Sequence, residues 1–264
     1  MNIVVCIKQT PDPEHFSKIT IDPTRGTIQR EGIPSVINPL DRHALEEGLR
    51  LREKFSGKVT AISMGPPQAR EVLELALAMG VDEAILLCDK AFAGADTLAT
   101  AYPLAGAIKK CGTIDLVICG NMSVDGATGQ VGPQLAELLD IPHITFVSNV
   151  EFRGRRSLVV KRELEYGYLK TEVELPVLLC VVKSINEYRL PTVIGIMEAM
   201  RKEIKTWAAC DIEATSETIG LAGSPTVVTN IYERKVERKR EILKGTPEEM
   251  ARQTAAKLHE LGVL

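Results

Sequence analysis

The chain has 264 residues, which is enough for one large domain or two modest ones. Hydrophobic residues make up 45% and charged residues 25%, the balance of a soluble globular protein, and the 4% of aromatic residues predicts an aliphatic core. The net charge of −3 argues against general nucleic-acid binding, because proteins of that class carry a strong basic excess.

The sequence also lacks the signals of membrane, secreted and metal-binding proteins. No apolar run approaches the roughly 20 residues that a membrane helix needs, so membrane insertion is not expected. The stretch MNIVVCIKQ has no basic region ahead of its apolar residues, so we predict no signal peptide and a cytoplasmic protein. The six cysteines form no CxxC pair and the four histidines show no ligand spacing, so no metal site is expected.

Short aliphatic runs alternate with helical patterns through the first 140 residues. The runs are continuous, as in parallel strands buried on both faces. The predicted strands are Asn2–Lys8, Lys58–Gly65, Glu83–Asp89 and Asp115–Gly120, and the predicted helices are Pro39–Phe55, Gln68–Gly80, Ala95–Gly112 and Gln134–Asp140. This alternation predicts parallel βαβ units, in which ligands bind beyond the carboxyl ends of the strands, near a switch in strand order.

The character of the chain changes after about residue 147. Alternating apolar and polar residues on both sides of EYGY predict a β-hairpin within Ser157–Ser184, followed by the buried strand PVLLCVV. From Asn186 onward, charged and turn-forming residues predict an arm that needs a partner surface. The last segment is predicted to be an amphipathic helix, with Thr246 as N-cap and Glu249 completing a capping box.

The segment NMSVDGATGQVGP, residues Asn121–Pro133, joins a predicted strand to a predicted helix. Small residues let a ligand approach the backbone, and a helix N-terminus presents free N–H groups to an anion. The segment therefore suits a phosphate held by the main chain, with Thr128 adding a hydroxyl and Gln130 an amide. Asp125 would repel a phosphate and is expected to cap the turn or to accept from a sugar or a ring. A glycine-rich turn without a ligand remains the alternative.

A second loop of this kind, NPLD at Asn38–Asp41, precedes the first long predicted helix. Two such loops at one edge of a sheet favour a nucleotide site over ordinary helix caps. The sequence shows no nucleophile elbow, no histidine beside a candidate nucleophile and no paired carboxylates at a meaningful spacing, so no catalytic residue is predicted. The basic stretch Glu233–Glu241 is interleaved with glutamate and is interpreted as solvated or partner-facing.

Several segments resemble the beta subunit of electron-transfer flavoproteins, the FixA-like family: VVCIKQTPD, INPLDRHALEEGLRL, VTAISMGPPQAREVLELALAMGVDEAILL, CGNMSVDGATGQVGPQLAELL, KRELEYGYLKTEVELPVLLCV and INEYRLPTVIGIMEAMRK. The resemblance covers nearly the whole chain. It implies a Rossmann-like α/β fold, a parallel sheet with an antiparallel hairpin extension and a C-terminal arm that wraps around an alpha subunit. Residues 1–185 would form the nucleotide- or flavin-binding domain, and residues 186–264 the recognition loop and the arm.

The resemblance further implies a cofactor. The beta-subunit pocket of this family holds AMP as a structural ligand in simple electron carriers, or a second FAD in electron-bifurcating members. The form VDGATGQVGP resembles the bifurcating kind, so FAD is the expected cofactor and AMP the alternative. The implied contacts are Cys6, Asn38, Pro39, Leu40, Asp41, Met64, Gly120, Ser123, Val124, Asp125, Gly126, Ala127, Thr128, Gly129, Gln130 and Val131.

Partners are implied as well. A bifurcating member takes electron pairs from NADH, passes one electron to ferredoxin or flavodoxin, and passes the other through the alpha-subunit FAD to a flavin-dependent dehydrogenase or reductase. NADH oxidation would belong to the complex rather than to this redox-active subunit alone. Glu163 is implied to pair with an arginine of the alpha subunit, Arg189 to lie in the recognition loop, and Val193 to be its apolar anchor. A nucleotide-binding regulatory homodimer resembling universal stress proteins stays open, although it would not need the charged tail.

Overall fold

The computed structural model describes residues 1–18, 20–21, 28–29, 32–154, 156–229 and 240–263. Its helices are α1 (Pro39–Phe55), α2 (Arg70–Met79), α3 (Thr97–Lys110), α4 (Val131–Leu139), α5 (Val193–Ala199) and α6 (Pro247–Glu260). Its strands are β1 (Asn2–Cys6), β2 (Gln9–Pro11), β3 (Thr20–Ile21), β4 (Ile28–Gln29), β5 (Ser35–Ile37), β6 (Lys58–Met64), β7 (Glu83–Leu87), β8 (Leu116–Gly120), β9 (His143–Arg153), β10 (Ser157–Leu164), β11 (Gly167–Glu174), β12 (Val177–Val181) and β13 (Ile204–Trp207). Most of the basic stretch Glu233–Glu241 lies outside the described residues.

Nine strands form one sheet in the order β11-β10-β9-β12-β8-β1-β6-β7-β13. The strands from β9 to β13 in this order run parallel, and β10 with β11 continues the sheet as an antiparallel hairpin. This confirms the predicted α/β fold. The chain builds from β1 through β6 to β7 on one side and then crosses to β8 on the other side. The switch in strand order therefore falls between β1 and β8, the place where such sheets bind ligands.

Buried aliphatic side chains cover both faces of the sheet. Leu45 of α1 and Leu73 of α2 pack on one face together with Val5, whereas Leu104 of α3 and Leu135 of α4 pack on the other face. Burying one leucine side chain contributes about 1.5–3 kcal/mol, so packing on the sheet fixes the helices more firmly than local propensity does.

Local signals set helix ends at both edges of the sheet. Asp96 is the N-cap of α3, and its carboxylate accepts the N–H groups of Leu98 and Ala99, each at 3.0 Å. The predicted C-cap of α2, Gly80, has a φ of +114°, which favours glycine. α4 begins at Val131, earlier than the apolar spacing indicates, so the end of the glycine-rich segment forms the first helical turn.

Two strands in the parallel part of the main sheet lack the continuous apolar runs from which the other parallel strands are predicted. β9 exposes residues along much of its length, and β13 is a four-residue edge strand. β13 lies in the segment after residue 185 and pairs with β7, and the first compact unit spans Met1–Thr229. The division of the chain at residue 185 into a binding domain and a partner-recognition segment stays a prediction.

The second compact unit is Asn230–Leu264. Its α6 has the predicted capping box, in which Thr246 Oγ1 accepts the N–H of Glu249 and Glu249 Oε2 accepts the N–H of Thr246. The role of this unit as an arm stays a prediction. Among the described residues, no helix combines the length and the apolar character needed to cross a membrane.

Candidate functional site

The segments that follow β1 and β8 lie side by side because the two strands are neighbours in the sheet. Asp41, in the first turn of α1, links them: its carboxylate accepts the N–H of Lys8 at 2.8 Å and the N–H of Gly120 at 3.0 Å. A Cβ atom at position 120 would overlap with this carboxylate. Asp41 is therefore a buried support for two loops, and the close approach requires glycine at position 120.

Asn38, the residue before α1, fixes the start of the glycine-rich loop. Its side chain donates from Nδ2 to the Met122 carbonyl and accepts at Oδ1 the N–H of Val124, both at 3.0 Å. The side chain is buried, and both of its polar ends are paired, which avoids the penalty of an unsatisfied buried amide. The NPLD segment thus acts as a scaffold under the loop.

Lys8 brings a positive charge to the same loop. Its ammonium group lies 2.7 Å from Asp125 Oδ1 and 3.4 Å from Ser123 Oγ. The Lys8 side chain is 48% exposed, and an ion pair that is open to solvent contributes about 1 kcal/mol or less. The main effect of Lys8 is therefore on the charge of the site, since its ammonium group offsets the negative charge of Asp125 beside a loop that is suited to an anion.

The second half of the loop presents main-chain N–H groups. Ala127 and Gly129 have positive φ angles of 50° and 62°, which turn the chain before α4 begins at Val131. Across the described part of the chain, no acceptor pairs with the N–H groups of Thr128, Gly129 or Gln130. A Cβ atom on Gly129 would meet only the Asn121 carbonyl, at 3.4 Å, so the space above the loop is open. These donors and the first turn of α4 form a cradle for an anion.

A row of three thiols lies in the sheet beneath α4. Cys6, Cys119 and Cys180 are register partners on β1, β8 and β12, and the Sγ atoms of Cys119 and Cys180 are 3.6 Å apart. Burial raises the pKa of the Cys6 thiol far above its ordinary value, so it stays neutral. Gly132 of α4 sits directly on the pair, because a Cβ atom there would overlap with Cys180 Sγ. The thiols therefore serve to seat the start of α4 against the sheet.

The ionisation of Asp41 differs from that of an ordinary carboxyl group. Burial raises its pKa to about 7, although hydrogen bonds from Asn38 and from the Lys8 and Gly120 amides, together with the charge of Lys8, favour the ionised form. The support of the loop thus contains a group that titrates close to neutral pH.

The predicted cofactor residues all lie at the carboxyl edge of the sheet. Those of the scaffold and the loop are brought together by the contacts described above: Asn38, Asp41, Gly120, Ser123, Val124, Asp125, Gly126, Ala127, Thr128, Gly129, Gln130 and Val131. Cys6 and Met64 end β1 and β6 at the same edge, and Pro39 begins α1. Leu40 packs against Gly120, since a Cβ atom at position 120 would lie 2.8 Å from Leu40 Cβ, and it also lines a cavity of about 1000 Å³ together with His43 and Tyr188. The contacts of all these predicted cofactor residues with a nucleotide stay predictions.

The three predicted partner residues belong to the first compact unit. Glu163 of β10 accepts a hydrogen bond from Ser184 Oγ. Val193 begins α5 and is 74% exposed. Arg189 forms ion pairs inside the chain, with Glu46 and Glu53. Contact with a partner stays a prediction for each of them.

Three residues outside the predicted set also shape the site. Lys8 is the last residue of the predicted strand Asn2–Lys8, and Asn121 directly follows the predicted strand Asp115–Gly120. A polar residue at the end of a buried strand is a sequence signal by which both could have been identified as site residues. Buried Asn121 accepts the N–H of Phe146 at 2.9 Å, which ties the loop to β9. Thr97 donates to Gln130 Oε1 at 3.1 Å, a contact that depends on the packing of α3 beside α4 and has no signal in the sequence.

Comparisons with known proteins agree with this architecture. The family model described as "Electron transfer flavoprotein domain" matches residues 25–212. The electron transfer flavoprotein subunit beta of Thermoanaerobacterium thermosaccharolyticum is 49% identical over 265 residues, with 100% of both chains covered. Subunit CarD of the caffeyl-CoA reductase–Etf complex of Acetobacterium woodii is 42% identical over 266 residues, again with 100% of both chains covered.

Protein FixA of Azotobacter vinelandii is 42% identical over 269 residues, covering 98% of this chain and 94% of the relative. These matches give no support to a universal-stress-like regulatory module. The chain therefore belongs to the electron transfer flavoprotein family, as a FixA-like beta subunit with a role in electron transfer.

Proposed function

We propose that this beta subunit holds FAD in the cradle of residues 123–131 and works with an alpha subunit in an electron-bifurcating flavoprotein. The observation that carries the proposal is the run of N–H groups from Thr128 to Gln130, which pair with no acceptor among the described residues and lie beside open space at the switch point of the sheet. The diphosphate of a dinucleotide needs several such donors and a bare main chain that it can approach closely.

The residues of the site fit this ligand in complementary ways. The main chain from Thr128 to Val131 would bind phosphate oxygens, and the Thr128 hydroxyl would add a donor. Asp125, held by Lys8, would accept a hydrogen bond from a ribose or a ring. Gly126 and Gly129 leave room beside the loop for a flavin ring, which is larger than the adenine of AMP.

Bound FAD would supply the redox chemistry, because a flavin accepts electron pairs from NADH and gives up single electrons. In the proposed complex, one electron of each pair would go to ferredoxin or flavodoxin. The other would go by way of the alpha-subunit FAD to a flavin-dependent dehydrogenase or reductase. The reductase complex for which the Acetobacterium woodii relative is named supports a partner of this class. This chain contributes the binding and placement of the cofactor.

Partner contacts would come from three parts of the chain. Glu163 would pair with a cation of the alpha subunit, and the unit of residues 230–264 would serve as the arm around that subunit. Val193 would anchor the dehydrogenase or reductase, since an exposed apolar side chain at the start of α5 suits an interface.

An electron carrier that holds AMP in the same cradle is the alternative. A single phosphate would use the same N–H donors, so the main chain of the loop suits both ligands. The two functions differ in the space that is filled beside the loop and in the response to NADH.

The content of FAD and AMP per alpha–beta pair distinguishes them. The chain would be co-expressed with its alpha subunit, and nucleotides released from the purified complex would be quantified. Two FAD per pair, with bleaching of the flavin spectrum by NADH, is the expected result. One FAD and one AMP per pair, with no bleaching by NADH, would replace the proposal with the carrier function.

A further inference from the structure

The segment between the Lys183–Ile185 turn and α5 is held along α1 by polar contacts. Asn186 Nδ2 donates to the His43 carbonyl and to Glu47 Oε2, both at 3.1 Å. Arg50 Nη2 donates to the Glu187 carbonyl at 2.8 Å. His43 and Glu47 are buried, so α1 offers this segment a built receptor and not only a solvated surface.

Arg189 makes the most extensive of these contacts. Its Nε and its backbone N–H donate to Glu46 Oε2 at 2.8 and 3.0 Å, and its Nη1 donates to Glu53 Oε1 at 2.5 Å. Its Nη2 contacts both carboxylates, each at 3.2 Å. Burial opposes the charge of Glu46, but the hydrogen bonds from Arg189 and from Arg50 outweigh it and lower the pKa of Glu46. The buried carboxylate is therefore ionised and paired.

These bonds limit the hydrogen-bond donors that Arg189 has free for another protein. Every nitrogen of its guanidinium group donates to Glu46 or Glu53 within the chain. A partner that used Arg189 as an ion-pair contact would have to break a bidentate pair and leave the Glu46 carboxylate buried without its main counter-ion. Removing one member of such a pair is costly, so direct contact is the less favourable role.

α5 follows the contacts of Arg189 with Glu46 and Glu53, which together form a clasp between this segment and α1. A helix of seven residues is not stable alone, and none of the residues of α5 is buried. Two other anchors hold it: Gly195 packs so closely on the Ala78 carbonyl that a Cβ atom would overlap, and Lys202 Nζ donates to the Val81 carbonyl at 2.7 Å. Four apolar residues on α5 and at its end are more than half exposed: Val193, Ile194, Met197 and Met200. The charged residue Glu198 is exposed on the same helix.

We propose that Arg189 is a positioning residue, which through Glu46 and Glu53 of α1 sets the exposed apolar face of α5 for a docking dehydrogenase or reductase. The inference rests on the proposed function, which gives α5 its partner. It assigns Arg189 a role inside the subunit in place of direct contact with the partner. In this arrangement α1 supports two sites. Its first turn holds the nucleotide loop, and its later turns hold the segment that contains Arg189 and leads to α5.

Hydrogen–deuterium exchange in the alpha–beta complex tests the positioning role without a partner. Arg189→Gln and Glu46→Gln should each speed exchange of the amides at Ile196 and Met200 by about tenfold or more. In the double variant, these amides should exchange no faster than in the single variant with the larger effect, because each single change already removes the Arg189–Glu46 pair. Glu53→Gln is the milder variant, in case the buried site does not tolerate change, and should give a smaller rise in the same amides. Arg153→Gln is the control, because it removes an exposed ion pair with Glu172 in the hairpin, and it should leave exchange of these amides unchanged.

Electron transfer to a purified acyl-CoA dehydrogenase and to a purified enoyl-CoA reductase provides the second readout. With the acceptor that the complex reduces, Arg189→Gln and Glu46→Gln should raise the acceptor KM together and leave the nucleotide content unchanged. A raised KM for Arg189→Gln alone, with normal amide exchange, would make Arg189 a direct contact and overturn the proposal. Faster exchange with no change of KM, even for Val193→Glu, would instead overturn docking at α5 and leave the clasp as a structural support only.

Discussion

The ammonium group of Lys8 lies 2.7 Å from Oδ1 of Asp125, so the residue two places after β1 reaches a loop 117 residues later in the chain. The pair joins the two loops at the switch point of the sheet. It also places a positive charge beside a cradle of N–H groups, where Asp125 by itself would repel a phosphate. Lys8 therefore sets the electrostatic balance of the site.

Replacing Lys8 with methionine keeps the length of the side chain and removes its charge. We expect Lys8→Met to weaken nucleotide binding about three- to tenfold, roughly 1 kcal/mol, without unfolding the subunit, because the side chain is half exposed. Calorimetric titration of the nucleotide-stripped complex with FAD and with AMP measures this effect, which should shrink at high salt.

Lys205→Met is the matched control for this variant. Lys205 pairs with Glu83 at 3.3 Å, but it lies on β13, near the start of the strand and away from the cradle. Its replacement should leave the nucleotide affinity unchanged. Equal affinities for Lys8→Met and the unmodified complex would remove Lys8 from the site.

Gly129→Arg tests the cradle itself. A large side chain at position 129 would strain the positive φ of this residue and fill the open space beside it, so the N–H groups should no longer donate to a phosphate. We expect loss of bound nucleotide from this subunit while the sheet stays folded, measured by nucleotide release and circular dichroism.

Gly112→Arg separates backbone strain from obstruction of the cradle. Gly112 also has a positive φ, of 94°, and a Cβ atom there would meet nothing within 4 Å. It follows α3 at the other edge of the sheet, so this variant should lose some stability and retain its nucleotide. Full retention of nucleotide by Gly129→Arg would refute the assignment of the loop.

The parallel sheet and the loop could be predicted because their signals are local. Continuous apolar runs mark β1, β6, β7, β8 and β12, and glycine with other small residues marks the loop. β9 could not be predicted in this way, because its exposed positions interrupt the apolar pattern. The place of β13 depends on its pairing with β7, and the residues that pair lie more than 100 positions apart in the chain.

The site shows the same division between local and tertiary information. The NPLD segment is recognisable in the sequence, but its role under the loop depends on the side chains of Asn38 and Asp41 reaching residues about 80 positions away. Likewise, the family resemblance places Arg189 in the recognition loop, but the sequence gives no sign that Glu46 and Glu53 of α1 pair with its guanidinium group.

Gly132→Ala tests the contact between α4 and the row of thiols. The new methyl group would overlap with Cys180 Sγ and crowd Cys119 Sγ, which lies 3.1 Å from the Cβ position. Overpacking of a tight core typically costs about 1–3 kcal/mol, and we expect a loss of stability in that range. Because α4 begins at the cradle, nucleotide binding should weaken as well.

The double variant Gly132→Ala with Cys180→Ala identifies the cause of that loss. Removing the sulfur makes room for the added methyl group, so urea unfolding should show a recovery of part of the lost stability. If the two changes simply add, the methyl group and the Cys180 sulfur do not conflict, and the seating of α4 on the thiols is wrong.

The raised pKa of Asp41 predicts a specific dependence of stability on pH. In the unfolded chain its carboxyl ionises near 3.8, whereas in the folded subunit its pKa is about 7. Between these values the folded state keeps a proton that the unfolded state has lost. The contribution of Asp41 to stability therefore falls as the pH rises from about 4 to about 7, by an amount of the order of 4 kcal/mol, and is constant outside this window.

Asp41→Asn removes the titration, so the difference in unfolding free energy between the unmodified subunit and this variant should decline across that window. Asparagine cannot accept both the Lys8 and the Gly120 amides as well as a carboxylate does, which lowers stability by an amount independent of pH. Urea unfolding at several pH values from 4 to 8 measures the difference. Asp115→Asn is the matched control for the loss of a strand-end contact, since Asp115 accepts the N–H of Asn2 but, unlike Asp41, is not buried. Parallel curves for Asp41→Asn and the unmodified subunit would show that Asp41 does not titrate in this range.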